Sequence, residues 1–111
     1  TPQMCTNRRA IGLTRDGGFA RSVVVPSSNL LPLPDAIDTE LGALIEPLSV
    51  SADAVLVGEI TLGDTVLVLG PGTIGQGIAL MARAAGAGRV IIAGRADGPR
   101  FDVLRKLGFG D

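Results

Sequence analysis

The residues best suited to chemistry in this 111-residue chain form one glycine-rich turn. Residues 70–75 read Gly-Pro-Gly-Thr-Ile-Gly and match the pattern G-x-G-x-x-G. We expect Gly70 to permit a tight turn, Gly72 to leave bare main chain against a ligand, and Gly75 to let a helix pack closely on a strand. The unpaired N–H groups and the dipole at a helix start attract a diphosphate. The turn therefore predicts a dinucleotide-binding site made of Gly70, Pro71, Gly72, Thr73, Ile74 and Gly75.

The elements around this turn decide its meaning, because the chain has 16 glycines and the bare pattern arises easily by chance. The continuous apolar run at 65–69 predicts a strand buried on both faces of a parallel sheet. The pattern then predicts a helix over about 73–85, a second buried strand over 90–93 and a second helix from 99 or 100 to 107. This order is typical of the first half of a doubly wound α/β domain.

The end of the second predicted strand bears on the choice of cofactor. An NAD site usually places Asp or Glu there, to bond the ribose 2′-hydroxyl. This chain instead has Gly94 followed by Arg95, whose guanidinium could pair with a 2′-phosphate. The cofactor-binding prediction therefore includes Gly94 and Arg95 and favours NADP. A solvated Arg95 is the alternative, and Asp97 keeps NAD open.

The first third of the chain carries weaker signals. Residues 1–38 predict loops and two short strands, over 19–25 and 30–33. From Asp38 to about residue 60 the spacing predicts a helix that Pro47 breaks in two, biasing Glu46 away from helical backbone. A carboxylate in an apolar run is costly to bury without a partner. The Glu46 carboxylate therefore needs a partner, and a polar contact at a helix end before Pro47 is one candidate.

Composition excludes several classes of function. One cysteine and no histidine rule out an internal disulfide, a self-contained Cys/His zinc site and a Ser–His or Cys–His pair within this chain. A net charge of −1 without a basic stripe disfavours nucleic acid. Glycines, a proline and polar residues interrupt the uncharged run 65–82, which favours a soluble strand–turn–helix over a membrane span. The lone cysteine fits a reducing compartment, so we expect a cytoplasmic protein.

Two longer runs resemble the zinc-containing medium-chain dehydrogenases, in particular the sorbitol and threonine dehydrogenase branch. These runs are GALIEPLSV at 42–50 and GDTVLVLGPGTIG at 63–75, supported by GGFA at 17–20 and LPLPD at 31–35. In that family a GroES-like catalytic domain precedes a Rossmann domain. The resemblance therefore implies that 1–38 is the C-terminal remnant of a GroES-like β domain. Residues 39–111 would then hold linking helices and a partial dinucleotide-binding domain.

The resemblance also assigns candidate metal residues. Cys5 resembles the last of four cysteines that hold a structural zinc. Glu46 resembles the glutamate that reaches the catalytic zinc directly or through its water, which makes it both the catalytic and a metal candidate. Arg21-Ser22 and Asp53 depart from the family pattern at positions that bear on fine specificity.

The function implied is that of a fragment of a zinc-dependent alcohol or polyol dehydrogenase. The whole enzyme would transfer hydride between a small alcohol and NAD(P), as a homo-oligomer without nucleic-acid or membrane partners. The first residue is not Met and the chain stops where a third strand is expected, so we expect a longer parent and no turnover from these residues alone. The alternatives are a non-catalytic nucleotide-binding module and a zinc-free quinone reductase relative; Cys5 and the Glu46-Pro47 pair disfavour the latter.

Overall fold

The computed structural model describes residues 5–95 and 97–110, which divide into one unit up to Ala36 and a second from Ile37. The described part of the first unit contains a 3₁₀ turn at Ser27–Asn29 and an isolated bridge between Ile11 and Arg15. The strands predicted over 19–25 and 30–33 are wrong, because in the described residues these segments lie in no ladder, and β-branched residues alone do not supply a pairing partner.

The second unit has the predicted α/β class and element order. In this unit the helices and strands are α1 Thr39–Gly42, α2 Ile45–Val57, β1 Thr65–Leu69, α3 Thr73–Ala84, β2 Arg89–Ala93 and α4 Gly98–Lys106. The two strands pair in parallel, as expected for strands joined through a helix. The prediction of strand, helix, strand, helix is therefore confirmed, with boundaries within two residues.

The first two helices correct the sequence prediction. The Asp38 carboxylate accepts the Leu41 N–H at 2.8 Å and caps α1. The break falls between α1 and α2, ahead of Pro47, and Glu46 is helical. Pro47 lies in the first turn of α2, where backbone N–H groups have no intrahelical partner, so its missing N–H removes no bond.

The sheet is covered on one face only within the described residues. Val68 is 4% exposed and α3 contacts both strands, whereas Leu67 and Leu69 on the other face are 59% and 78% exposed. The register continues this alternation across the sheet, since Val68 pairs with Ile92 and Leu67 with Ile91. The prediction of strands buried on both faces is therefore wrong here, because none of the described helices packs on the second face.

Helix α3 buries its small residues rather than its large ones. Buried positions are Gly75, Gly77, Ala79 and Ala82, whereas Ile74 is exposed. Small residues allow α2 and β1 to approach α3 closely, which brings the start of α3 against both elements.

Helix α3 ends at a glycine with left-handed backbone. Gly86 has φ +100°, and the next N–H, from Ala87, donates to the Ala82 carbonyl at 3.0 Å. Gly108 closes α4 in the same way with φ +84°. Of the described helices, none is both long enough and apolar enough to cross a membrane.

Candidate functional site

The glycine turn joins β1 to α3 and is tied to the end of β2. Gly70 has φ +105°, a conformation that side chains other than glycine rarely adopt, and its N–H donates to the Ala93 carbonyl at 2.7 Å. Gly72 then lies in extended backbone at the N-cap of α3. The start of the turn is thus held by β1, which it follows, and by the hydrogen bond to the end of β2.

Gly75 and Gly72 are glycines for different reasons. A Cβ added to Gly75 would lie 1.9 Å from the Gly70 carbonyl oxygen and 3.5 Å from a Val68 methyl group, so packing itself excludes a side chain there. A Cβ added to Gly72 would meet no heavy atom within 4 Å. Internal packing therefore does not require glycine at 72, and the bare main chain there faces open space.

The start of α3 offers donors suited to a phosphate. The first N–H groups of a helix lack intrahelical partners, and no side chain caps α3 because its N-cap is Gly72. The positive end of the helix dipole lies at the same place. Gln76 holds the turn in shape: its side-chain amide donates to the Pro71 carbonyl at 2.9 Å and its backbone N–H to the Gly72 carbonyl at 2.8 Å. These features fit the diphosphate of a dinucleotide.

The end of β2 packs directly against the turn. A Cβ on Gly94 would lie 2.6 Å from Pro71 Cδ and 3.2 Å from a ring carbon of Phe101. Arg95 is therefore one residue beyond the contact with the turn, and it is exposed. The Asp97 carboxylate is paired with Arg100 at 2.7 Å. The basic side chain of Arg95 thus follows β2 at the position where an NAD site usually has an acid, and the nearby acid, Asp97, is paired with Arg100.

Ser51 is a site residue that the sequence did not reveal. It is 0% exposed, and its Oγ lies 3.0 Å from the Pro47 carbonyl oxygen in α2 and 3.2 Å from the Ile74 carbonyl oxygen in α3. A Cβ on Gly77 would lie 2.3 Å from this Oγ. No pattern signals the contact, because a serine within an apolar helix is equally typical of a solvated face.

The predicted metal residues lie apart from any cluster of ligands. Cys5 is an exposed free thiol in the first unit, and Glu46 is exposed in the first turn of α2. Since Glu46 is exposed, the argument from the cost of burying its charge does not apply. Within residues 5–95 and 97–110, no group of three or more His, Cys, Asp or Glu side chains could hold a metal. The residues present do not by themselves form a zinc site, and both assignments stay predictions.

Comparison with known proteins identifies relatives along nearly the whole chain. L-galactonate-5-dehydrogenase from Escherichia coli is 43% identical over 103 residues, which are 93% of this chain and 30% of that protein. L-threonine 3-dehydrogenase from Rhizobium etli and (R,R)-butanediol dehydrogenase from Saccharomyces cerevisiae are each 37% identical over 95% of this chain. No protein-family model matches the chain.

A solved structure gives the same answer for the fold. Galactitol-1-phosphate dehydrogenase from Escherichia coli superposes with a TM-score of 0.81 at 31% sequence identity, over 96% of this chain and 30% of that one. The chain thus spans about 30% of the length of the relatives it matches. The predicted resemblance is confirmed: the chain is homologous, over almost all its residues, to the zinc-type medium-chain dehydrogenases.

Proposed function

We propose that this chain holds the diphosphate of NAD(P) within a dehydrogenase that transfers hydride between a small alcohol or polyol and the nicotinamide. The observation that supports this most directly is the open space at Gly72, between β1 and α3, where packing does not require a glycine. The names of the relatives, which include galactonate, threonine and butanediol dehydrogenases, support the reaction class.

The role of the chain in catalysis would be to bind and orient the cofactor. The N–H groups at the start of α3 would bond the diphosphate, and the helix dipole would offset part of its charge. Gly70 and Gln76 would keep the turn in the binding shape before the cofactor arrives, which lowers the entropy lost on binding. The bound nicotinamide would supply the hydride chemistry. The described residues do not by themselves form a zinc site, so the zinc roles predicted for Cys5 and Glu46 stand outside this proposal.

Within this proposal we infer that NADP is the preferred cofactor. Arg95 is exposed and adjacent to the contact between Gly94 and Pro71, so a guanidinium is available near the adenosine end of a bound cofactor. A guanidinium pairs strongly with a phosphate and has no comparable partner in a 2′-hydroxyl. Asp97 is already paired with Arg100 and is a weaker candidate for the ribose contact.

Titration with reduced cofactors tests the proposal. The fluorescence of NADPH and NADH is followed as this chain is added at low ionic strength. We expect saturable binding of both cofactors with tighter binding of NADPH. Equal binding would contradict the preference for NADP alone, whereas no binding of either cofactor would contradict the proposed function. Cytoplasmic localisation and a homo-oligomeric state of the whole enzyme stay predictions.

A further inference from the structure

Ser51 connects the first turn of α2 with the first turn of α3, where the proposed diphosphate site lies. Its Oγ lies within hydrogen-bond distance of a carbonyl in the first turn of α2 and of a carbonyl in the first turn of α3. The α2 carbonyl belongs to Pro47, next to Glu46. The α3 carbonyl belongs to Ile74, within the glycine turn. A single hydroxyl carries one proton, so it serves these two acceptors together or in exchange.

Burial makes this contact costly to replace. Ser51 is 0% exposed, and no buried side-chain polar atom in the described residues lacks a partner. A buried hydroxyl without an acceptor would destabilise the fold. A water molecule could replace the two carbonyl acceptors only if the packing left space for it. The packing around it is tight, because even one added carbon on Gly77 would come within 2.3 Å of Oγ. Gly77 therefore lets α3 approach the hydroxyl.

From this geometry we propose that Ser51 is a positioning residue for the cofactor turn. It sets the first turn of α3 against α2, and it thereby fixes where the N–H groups that would meet the diphosphate lie. Because its side chain is fully buried, Ser51 would touch neither cofactor nor substrate. The expected effect of Ser51 on cofactor affinity rests on the proposed function, whereas its effect on the glycine turn is a property of the chain without cofactor.

Ser49 provides a matched control on the same helix. Its Oγ also donates to a backbone carbonyl, that of Glu46 at 2.7 Å, but this bond stays within α2 and is exposed. Ser49→Ala and Ser51→Ala therefore each delete one serine hydroxyl from α2. Only Ser51→Ala removes a contact between α2 and α3.

The test measures the dissociation constant for NADPH and the exchange rate of the Gln76 amide, at a temperature where every variant is folded by circular dichroism. The Gln76 N–H reports the turn because it donates to the Gly72 carbonyl. We expect Ser51→Ala to weaken NADPH binding about fivefold and to speed Gln76 exchange by a similar factor, equivalent to one net hydrogen bond. Ser49→Ala should change both by less than twofold.

The outcomes separate this inference from the proposed function. The role of Ser51 would be overturned if Ser51→Ala and Ser49→Ala had the same dissociation constant for NADPH and the same exchange rate of the Gln76 amide. A wild-type chain that binds neither NADPH nor NADH would overturn the proposed function. In that case the Gln76 exchange still decides whether Ser51 holds the turn. Gly77→Ala is a second variant, which displaces the hydroxyl instead of deleting it, and it should speed Gln76 exchange in the same direction.

Discussion

The open space at Gly72 leads to a prediction in which stability and binding separate. Gly72→Ala adds a methyl group that meets no heavy atom within 4 Å, at a backbone conformation (φ −72°, ψ 180°) that alanine adopts freely. Alanine is a poorer N-cap than glycine, but it also lowers the entropy of the unfolded chain. These opposing effects leave the free energy of unfolding within about 1 kcal/mol of wild type, so the shift in Tm should not exceed roughly 4–8 °C.

Cofactor affinity should change much more in this variant. The methyl group would occupy the space through which a diphosphate reaches the first N–H groups of α3. Loss of one hydrogen bond to a charged group costs about 1.5–3 kcal/mol, which corresponds to roughly 10- to 150-fold in affinity. We expect calorimetric titration with NADPH to show this loss while thermal unfolding stays close to wild type.

Gly75→Ala is the matched control because it adds the same methyl group three residues on. There the new carbon would lie 1.9 Å from the Gly70 carbonyl oxygen, so backbone must move. Overpacking of this kind costs about 1–3 kcal/mol, and Tm should fall accordingly. If Gly72→Ala binds NADPH as tightly as wild type, the turn does not hold the diphosphate as proposed.

The remaining predictions concern cofactor choice, acid stability and turnover. Arg95→Ala should weaken NADPH binding about tenfold and leave NADH binding unchanged. The control Arg105→Ala removes an exposed arginine that pairs with Asp102 and should alter neither affinity, and equal losses for the two cofactors in Arg95→Ala would count against a 2′-phosphate contact. The Thr61 backbone N–H and hydroxyl donate hydrogen bonds to the Asp64 carboxylate and lower its pKa in the folded chain. The ionised Asp64 carboxylate therefore stabilises the fold at pH values above the carboxyl pKa of the unfolded chain, and this stabilisation is lost as pH falls through the pKa of the folded chain. The Tm difference between wild type and Asp64→Asn should therefore shrink towards zero in acid, and a difference that grows in acid would show the opposite sign. The chain alone should oxidise no alcohol with NAD or NADP, and measurable turnover would refute our assignment of its role to cofactor binding.

The parts of the fold that depend on local sequence were predictable. An apolar β-branched run, three glycines at fixed spacing and a helical period lie within one short stretch, and the turn between β1 and α3 follows from them. Gly86 follows the end of α3, where left-handed backbone favours glycine. These signals act over a few residues, so no knowledge of distant contacts was required.

Errors arose where burial depends on the neighbours of an element. The apolar content of β1 indicated burial on both faces, but Leu67 and Leu69 are exposed because the described helices cover only the other face. Pro47 was expected to break a helix, yet it lies in a first turn where its missing N–H costs nothing. Helix boundaries shift by a few residues without any strong local signal.

The side-chain contacts that shape the site were beyond the sequence pattern. Ser51 reaches Ile74 across 23 positions, and Gln76 turns back onto Pro71. A serine and a glutamine in helical segments are usually solvated, so neither residue type points to such a partner. The roles of Cys5 and Glu46 stay predictions that rest on the resemblance to relatives.

Amide NMR spectra of the isotope-labelled chain test the central claim most directly. ADP carries the diphosphate, and adenosine lacks it, so the two ligands separate phosphate binding from binding of the base and ribose. We predict that ADP produces its largest amide shifts at residues 72–75 and that adenosine leaves these amides unchanged. Largest ADP shifts outside the turn, or equal shifts at 72–75 with adenosine, would contradict the claim that bare main chain at the start of α3 holds a diphosphate.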